Sequence, residues 1–308
     1  MSSVECIIPA AGGVLVIDKP AGITSHDVVD RLRRVLGTKR IGHAGTLDPM
    51  ATGVLALCID SATRVMETLS ASTKEYVAGV RFGLTTDTLD TTGLTTGEAD
   101  ASGLTAEQVE ARLPAFRGLV LQVPPMVSAR HHQGRRLYDL AREGVEVERE
   151  ARPITISRLE LTSFEPGPVP EAVLEIECSA GTYIRTLASD LGAAVGVGAA
   201  MSALRRTRSG SFTLADALPL EAVERTEALA NAARARLHAA MGSHTQVMVI
   251  LDDALAFLHG QAVGECSADE GAILSVWHGE ALLGLGKAVG GRVQPWKVLA
   301  SIGQGEAA

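Results

Sequence analysis

The chain has 308 residues, of which 46% are hydrophobic and 3% aromatic, and a formal net charge of −8. This length suits two domains, the apolar fraction excludes wholesale disorder, and Val, Leu, Ile and Ala must fill the core. No apolar run can span a bilayer, the N-terminus lacks a secretory pattern, and Cys6, Cys58, Cys178 and Cys266 form no C-x-x-C pair; a reducing cytoplasm without zinc or disulfides fits best.

Gly13 to Asp18 reads as a buried strand, and Lys19-Pro20-Ala21-Gly22 turns the chain. Ser25 is a candidate N-cap for a helix whose apolar stripe is Val28, Val29, Leu32, Val35 and Leu36, with Gly37 as its stop. Gly42 to Gly53 is a glycine-punctuated loop leading into a second buried strand, Val54 to Ile59. Lys74 to Phe82 alternates, which predicts a strand with one covered face. Thr85 to Gly103 reads as loop, and Thr105 with Gln108 forms a capping-box pair before a short helix that Pro114 interrupts. Gln122 to Glu150 reads as a mobile insertion with a helix near Leu137 to Glu143. Another alternating strand covers Ala172 to Cys178, followed by a helix with Ile184, Leu187, Ala188 and Leu191 on one face. Leu220 to Met241 is helical, and residues 242 to 245 form a hinge. The remainder is a small, mostly β unit with a hairpin signal at Gly290-Gly291.

The acidic total argues weakly against a nucleic-acid partner, but the basic residues are clustered. Arg31, Arg33, Arg34, Lys39 and Arg40 form one group. Arg130, Arg135, Arg136 and Arg142 form a second, beside His131 and His132, and Arg205, Arg206 and Arg208 form a third. Each alone reads as a solvated face; three in an acidic chain point to a localised phosphate-binding track. Asp48, between glycines and followed by Pro49, is by spacing a turn residue. The same stiff loop can hold a carboxylate as nucleophile or base. Arg185 opens a helix, off its apolar stripe, either exposed or facing an acid across a cleft, which it would keep ionised. Tyr76 and Tyr183 are either core or rim residues, or stacking partners for an unstacked base. These residues describe an α+β enzyme or binder with RNA contacts and leave the reaction open.

Six segments together resemble the TruB family of tRNA pseudouridine synthases: GVLVIDKPAGITS at 13–25, GHAGTLDPMATG at 42–53, KEY at 74–76, QVPPMVSA at 122–129 running on to GRRLY at 134–138, GTYIR at 181–185 and LRRT at 204–207. The tail is similar, more weakly, to a PUA domain. The resemblance implies a pseudouridine-synthase fold, α+β with a central mixed, mostly antiparallel sheet, over residues 1–245, and a PUA-like RNA-binding unit over 246–308. It implies isomerisation of the T-loop uridine of tRNA, position fifty-five, without a metal or other cofactor. Asp48 matches the essential aspartate, Tyr76 the tyrosine that stacks on the target base, and Arg185 the arginine paired with the aspartate. Tyr183 and Leu204 match wall positions of the site. His43 matches a residue that packs into the opened RNA loop, and Lys19 a lysine beside the site. Arg130, His131, His132, Arg135, Arg136, Arg205 and Arg206 complete the expected RNA contacts. Two positions depart from the pattern: Arg130-His131-His132 replace a lysine after the Ser-Ala pair, and Gly198-Ala199-Ala200 lacks a terminal histidine. A cytoplasmic monomer needing no protein partner is implied. A guide-RNA-dependent relative and a non-catalytic tRNA-binding protein are the alternatives.

Overall fold

The structure, a computed structural model, describes residues 12–126, 131–132, 135–136, 147 and 149–300. The first strands are β1 (Gly13–Lys19), β2 (Ile41–His43), β3 (Thr52–Ile59) and β4 (Lys74–Phe82). A hairpin of β5 (Leu84–Thr86) and β6 (Thr95–Glu98) follows, then β7 (Gly118–Gln122), β8 (His131–His132) and β9 (Arg135–Arg136). The long strand β10 (Arg152–Glu165) precedes β11 (Glu171–Cys178), β12 (Ala199–Ser209), β13 (Phe212–Thr213) and β14 (Leu218–Pro219). The main sheet runs β14-β1-β3-β12-β4-β11-β10-β7, with β2 on β3 and β13 on β12. It is mostly antiparallel; β1/β14 and β3/β12 are its parallel pairs. This is the α+β architecture that the resemblance implies.

Hydrophobic patterning follows from what covers each face. Leu15 and Ile17 of β1 join one core, Val14 and Val16 a second. Leu55 and Leu57 of β3 likewise face the first core, while Val54, Ala56 and Cys58 face the second. Both faces are covered, so both strands read as continuous apolar runs. On β4 only Ala78, Val80 and Phe82 enter a core. The opposite face carries Glu75, paired with Arg208 and Arg158, and Arg81, paired with Glu171. That strand therefore alternates.

The helix Ser25–Leu36 packs Val28, Val29 and Leu32 into the first core. Its N-cap is Thr24 rather than Ser25: the Thr24 hydroxyl accepts from Asp27 N–H, and the Asp27 carboxylate accepts from Thr24 N–H. Ser25 is already helical because its hydroxyl is committed elsewhere, to Leu47. Gly37 ends the helix at φ +68°, with its N–H on Arg33 O. Within the expected loop 85–103 the β5/β6 hairpin forms, and β12 occupies a segment read only as a basic cluster. The late helix is shorter than its composition suggests, Glu227–Gly242, because residues 220–222 form a single 3₁₀ turn. The expected helix near Leu137 to Glu143 lies outside the described residues.

A second sheet of five strands covers the tail: β15 (Thr245–Met248), β16 (Val263–Glu265), β17 (Ile273–His278), β18 (Ala281–Val289) and β19 (Arg292–Val298), in the order β15-β17-β18-β19-β16. The β18/β19 hairpin turns at Gly290-Gly291, as their pairing predicts. Trp277, Leu282, Leu285 and Leu299 share the second core with Leu237 and Met241 of the late helix and with β1 and β3. The tail is thus packed onto the main sheet through that helix.

Candidate active site

Asp48 lies on the loop between β2 and β3, and four side chains or backbone groups anchor that loop. Ser25 Oγ donates to Leu47 O (3.1 Å) and accepts from Leu47 N–H (2.9 Å). Lys19 Nζ donates to the carbonyls of Pro20, Pro49 and Ala51 at 2.8, 3.3 and 2.8 Å. Arg206 donates from Nε to Val54 O (2.7 Å), and from its two terminal nitrogens to Thr46 O (3.3 Å) and Gly45 O (3.1 Å). Gly22 N–H donates to Pro49 O at 2.8 Å. Glycine is required at position 53, where φ is +102° and a Cβ would lie 2.2 Å from Arg206 O.

Arg185 meets this loop from the first turn of the helix Ile184–Val195. Its Nε lies 2.9 Å from Asp48 Oδ2, and Nη2 donates to Asp48 Oδ1 at 3.3 Å, a two-point grip on one carboxylate. Nη1 donates to Thr88 O at 2.9 Å and lies 3.8 Å from Asp90 Oδ2. The Arg185 side chain is 5% exposed and that of Asp48 is 35% exposed, so the acid is the accessible member of the pair. Burial pushes the Asp48 carboxyl above its usual value; Arg185 pulls it down, Asp90 pushes it up, and Lys19 pulls it down, with burial the largest influence. Arg185 thus favours the ionised acid, as expected of an arginine facing it, while desolvation and a second acid oppose it.

Asp90 carries no distinctive signal of its own in the sequence. It sits in a Thr- and Asp-rich loop whose composition reads only as polar. In the structure it is 5% exposed. Its Oδ1 accepts from Thr88 Oγ1, Thr92 N–H and Thr92 Oγ1 at 3.0, 2.9 and 2.5 Å. Leu89 beside it takes a left-handed conformation, φ +62°, unusual for a branched side chain. The turn lets Thr88 O and Asp90 both face Arg185. The only sequence signal was an excess of short hydrogen-bonding residues beside one acid.

Tyr76, on β4, pairs with Arg206 on β12 in the sheet ladder. Burial raises the Tyr76 phenol, and a hydrogen bond from the Arg206 guanidinium counteracts it. Leu204, two residues before Arg206, is 8% exposed and packs in the first core. Tyr183 is the residue before the Arg185 helix and is half-buried. His43 on β2 has a buried Nδ1 with no hydrogen-bond partner; burial, then Arg206, lower its pKa.

Three expected RNA contacts are placed differently. Lys19 and Arg206 are 0% and 1% exposed, so both act inside the fold as braces of the Asp48 loop. Burial lowers the Lys19 ammonium to about 8, against a raising influence from Asp48. Arg205 is accessible, but both its terminal nitrogens hold Asp18, at 3.1 and 2.7 Å. The reason is strand alternation: consecutive arginines on β12 point to opposite faces, one inward. His131, His132, Arg135 and Arg136 lie on the β8/β9 hairpin, of which only the backbone is described. Arg130 lies outside the described residues.

A cavity of about 560 Å³ lies away from this constellation, between the end of the Ser25–Leu36 helix and the helix Glu227–Gly242. Among the described residues no cluster of His, Cys, Asp and Glu is arranged to hold a metal ion. None of their helices is long and apolar enough to cross a membrane.

Residues 33–184 match the family model described as the TruB family pseudouridylate synthase N-terminal domain, and residues 185–246 match the tRNA pseudouridylate synthase B C-terminal domain. A protein of Gloeobacter violaceus named tRNA pseudouridine synthase B is 47% identical over 301 residues, covering 94% of this chain and 99% of that protein. The protein of that name from Symbiobacterium thermophilum is 48% identical over 253 residues, covering 81% of this chain and 82% of its own. Among solved structures, a chain in a Cbf5-Nop10-Gar1 complex matches with a TM-score of 0.71 and 27% identity, covering 94% of this chain and 86% of that one.

Proposed function

This chain belongs to the TruB family and is a tRNA pseudouridine synthase, an isomerase, and we propose that its substrate is the T-loop uridine at position fifty-five, with Asp48 as the catalytic carboxylate. The observation that carries this reading is the two-point Arg185–Asp48 pair, in which the acid stays accessible while its partner is buried. A uridine inside a folded loop must unstack before its glycosidic bond can be reached. Tyr76, on the strand beside the loop, receives the flipped base. Tyr183 and Leu204 wall the site, and His43 fills the space opened in the RNA loop.

The isomerisation breaks the bond between uracil N1 and ribose C1′, turns the ring and forms the bond between C5 and C1′. The C5 proton leaves, and N1 ends protonated. An ionised Asp48 serves the first half, by attack on a carbon centre or by supporting proton removal from the sugar. Arg185 and Lys19 favour that ionised state, whereas burial and Asp90 resist it. A carboxylate held against such opposition is more basic than a free one, which suits it to proton transfer. The chain's own residues supply all these roles.

The basic β8/β9 hairpin is proposed to meet tRNA phosphates. Residues 1–245 are read as the catalytic unit and 246–308 as a PUA-like RNA-binding unit. We place the enzyme in the cytoplasm as a monomer. A second reading, as the catalytic subunit of a partner complex, draws on the likeness to the Cbf5-Nop10-Gar1 structure. The 47% identity over nearly the whole of a tRNA pseudouridine synthase B, against 27% for that chain, favours the stand-alone enzyme.

Tritium release from tRNA labelled at uracil C5 tests the assignment. The purified chain is expected to release tritium from a bare T-arm hairpin, and Asp48→Asn is expected to release none above background. Full activity in that variant overturns the role of Asp48. Activity only with added guide RNA overturns the stand-alone reading.

A further inference from the structure

Arg185 occupies an unfavourable position for a cation. It lies in the first turn of its helix, where the helix dipole is positive. The residue before that helix, Tyr183, has no side-chain cap of its own. Something outside the helix must therefore hold its start in place.

Gln122 does so. Its Oε1 accepts from Tyr183 N–H at 2.8 Å, and its Nε2 donates to Tyr183 O at 3.0 Å. One side-chain amide thus satisfies both backbone groups of one residue, as a neighbouring strand would. Tyr183 O also accepts the first helical bond, from Leu187 N–H at 3.1 Å. Gln122 is 5% exposed, so this link lies inside the fold and is little competed for by water.

The other end of the link is equally specific. Gln122 is the last residue of β7 and pairs with Arg152, the first of β10. Between those two residues runs the segment 123–151, which contains the basic hairpin β8/β9. Arg149 Nη1 donates to Pro124 O at 3.0 Å and draws the two limbs of the segment together. A cavity of about 270 Å³ lies beside this joint, with Gln122, Pro124, Gly181 and Tyr183 among its lining residues.

We propose that Gln122 is a positioning residue: it ties the root of the 122–150 insertion to the backbone of Tyr183 and so sets Arg185 against Asp48. This rests on the reading of Asp48 and Arg185 given above. The consequence is that the segment proposed to grip tRNA and the arginine that holds the catalytic acid share one joint. Gln122 bonds to the Tyr183 backbone rather than to Asp48. Its contribution is to the geometry of the acid, which is needed for turnover rather than for tRNA binding.

The test compares Gln122→Ala, Gln122→Met and Gln122→Glu with wild type and Asp48→Asn in steady-state tritium release from full-length tRNA. Methionine keeps the volume and removes both hydrogen bonds. Glutamate keeps the acceptor for Tyr183 N–H and sets an oxygen against Tyr183 O. The expected result is a kcat roughly tenfold lower for the alanine and methionine variants, with KM within about twofold, and an intermediate kcat for the glutamate variant. A methionine variant with wild-type kcat would mean that Gln122 only fills space, and would overturn the proposal. So would a loss confined to KM, which would assign Gln122 to the grip on RNA. If the alanine variant fails to fold, the volume-matched methionine variant decides on its own. Tritium release by Asp48→Asn would refute the underlying site and this proposal with it.

Discussion

Arg206→Met separates two roles for one arginine. As a surface phosphate contact, Arg206 would affect tRNA affinity and leave stability unchanged. As a brace, it holds three carbonyls, those of Gly45, Thr46 and Val54, while itself 1% exposed. A hydrogen bond from a charged donor contributes about 1.5–3 kcal/mol, and methionine retains much of the packing. Relief of the buried charge offsets part of the loss. A net destabilisation of about 3 kcal/mol remains, because three carbonyls lose their donor together. For a chain of this size that corresponds to a fall in Tm of about 5 °C. Asp48 lies two residues beyond Thr46, and a shift of about 1 Å in its loop lowers kcat by up to about 10²-fold. Thermal unfolding followed by circular dichroism, tritium release and tRNA binding against salt concentration form the assay. A Tm within about 2 °C of wild type, together with a salt dependence reduced by about one unit of slope, would refute the brace and restore the phosphate contact.

Three further outcomes are expected. In the proposed role Asp48 acts in its ionised form and its carboxyl is shifted upward, so the acid limb of the kcat profile is expected above the usual aspartate range; a limb at or below that range contradicts the dominance of burial. Lys19 is lowered from 10.5 to about 8, so between those values the unfolded chain binds more protons and stability from this group rises with pH. Lys19→Met is expected to reduce that slope by up to about 1.4 kcal/mol per pH unit in urea titrations, and an unchanged slope would sink the assignment. Gly53→Ala, with φ +102° and a carbonyl 2.2 Å from the new Cβ, is expected to cost more than about 3 kcal/mol; Gly22→Ala, with φ +87° and open space, about 1 kcal/mol. Equal melting temperatures for the two variants would contradict the close approach of β12 to β3.

Much of the candidate site is legible in the amino-acid sequence, because it sits in short segments whose local chemistry is distinctive. The continuous apolar runs of β1 and β3 announce strands covered on both faces, and the alternation of β4 announces one covered face. The glycines and proline around Asp48 announce a stiff loop. The ordered motifs then identify the family, and with it Asp48, Tyr76 and Arg185. Some features resist such reading because their meaning depends on partners far along the chain. Asp90 is one acid in a polar loop until Arg185, 95 positions later in the numbering, is brought against it. Ser25 resembles a helix cap until Leu47 claims its hydroxyl.

The basic run Leu204-Arg205-Arg206 shows where the division falls. Composition established the presence of charge, and the motif established its place near the site. Which arginine faces inward was decided by strand pairing: β12 lies between β3 and β4, and alternation along the strand sends Arg205 to Asp18 and Arg206 into the loop that carries Asp48. Local sequence determined the elements and the chemical vocabulary of this protein. Tertiary structure decided which charges are buried and which are free, because desolvation and hydrogen-bond partners are properties of the assembled sheet and not of any one segment.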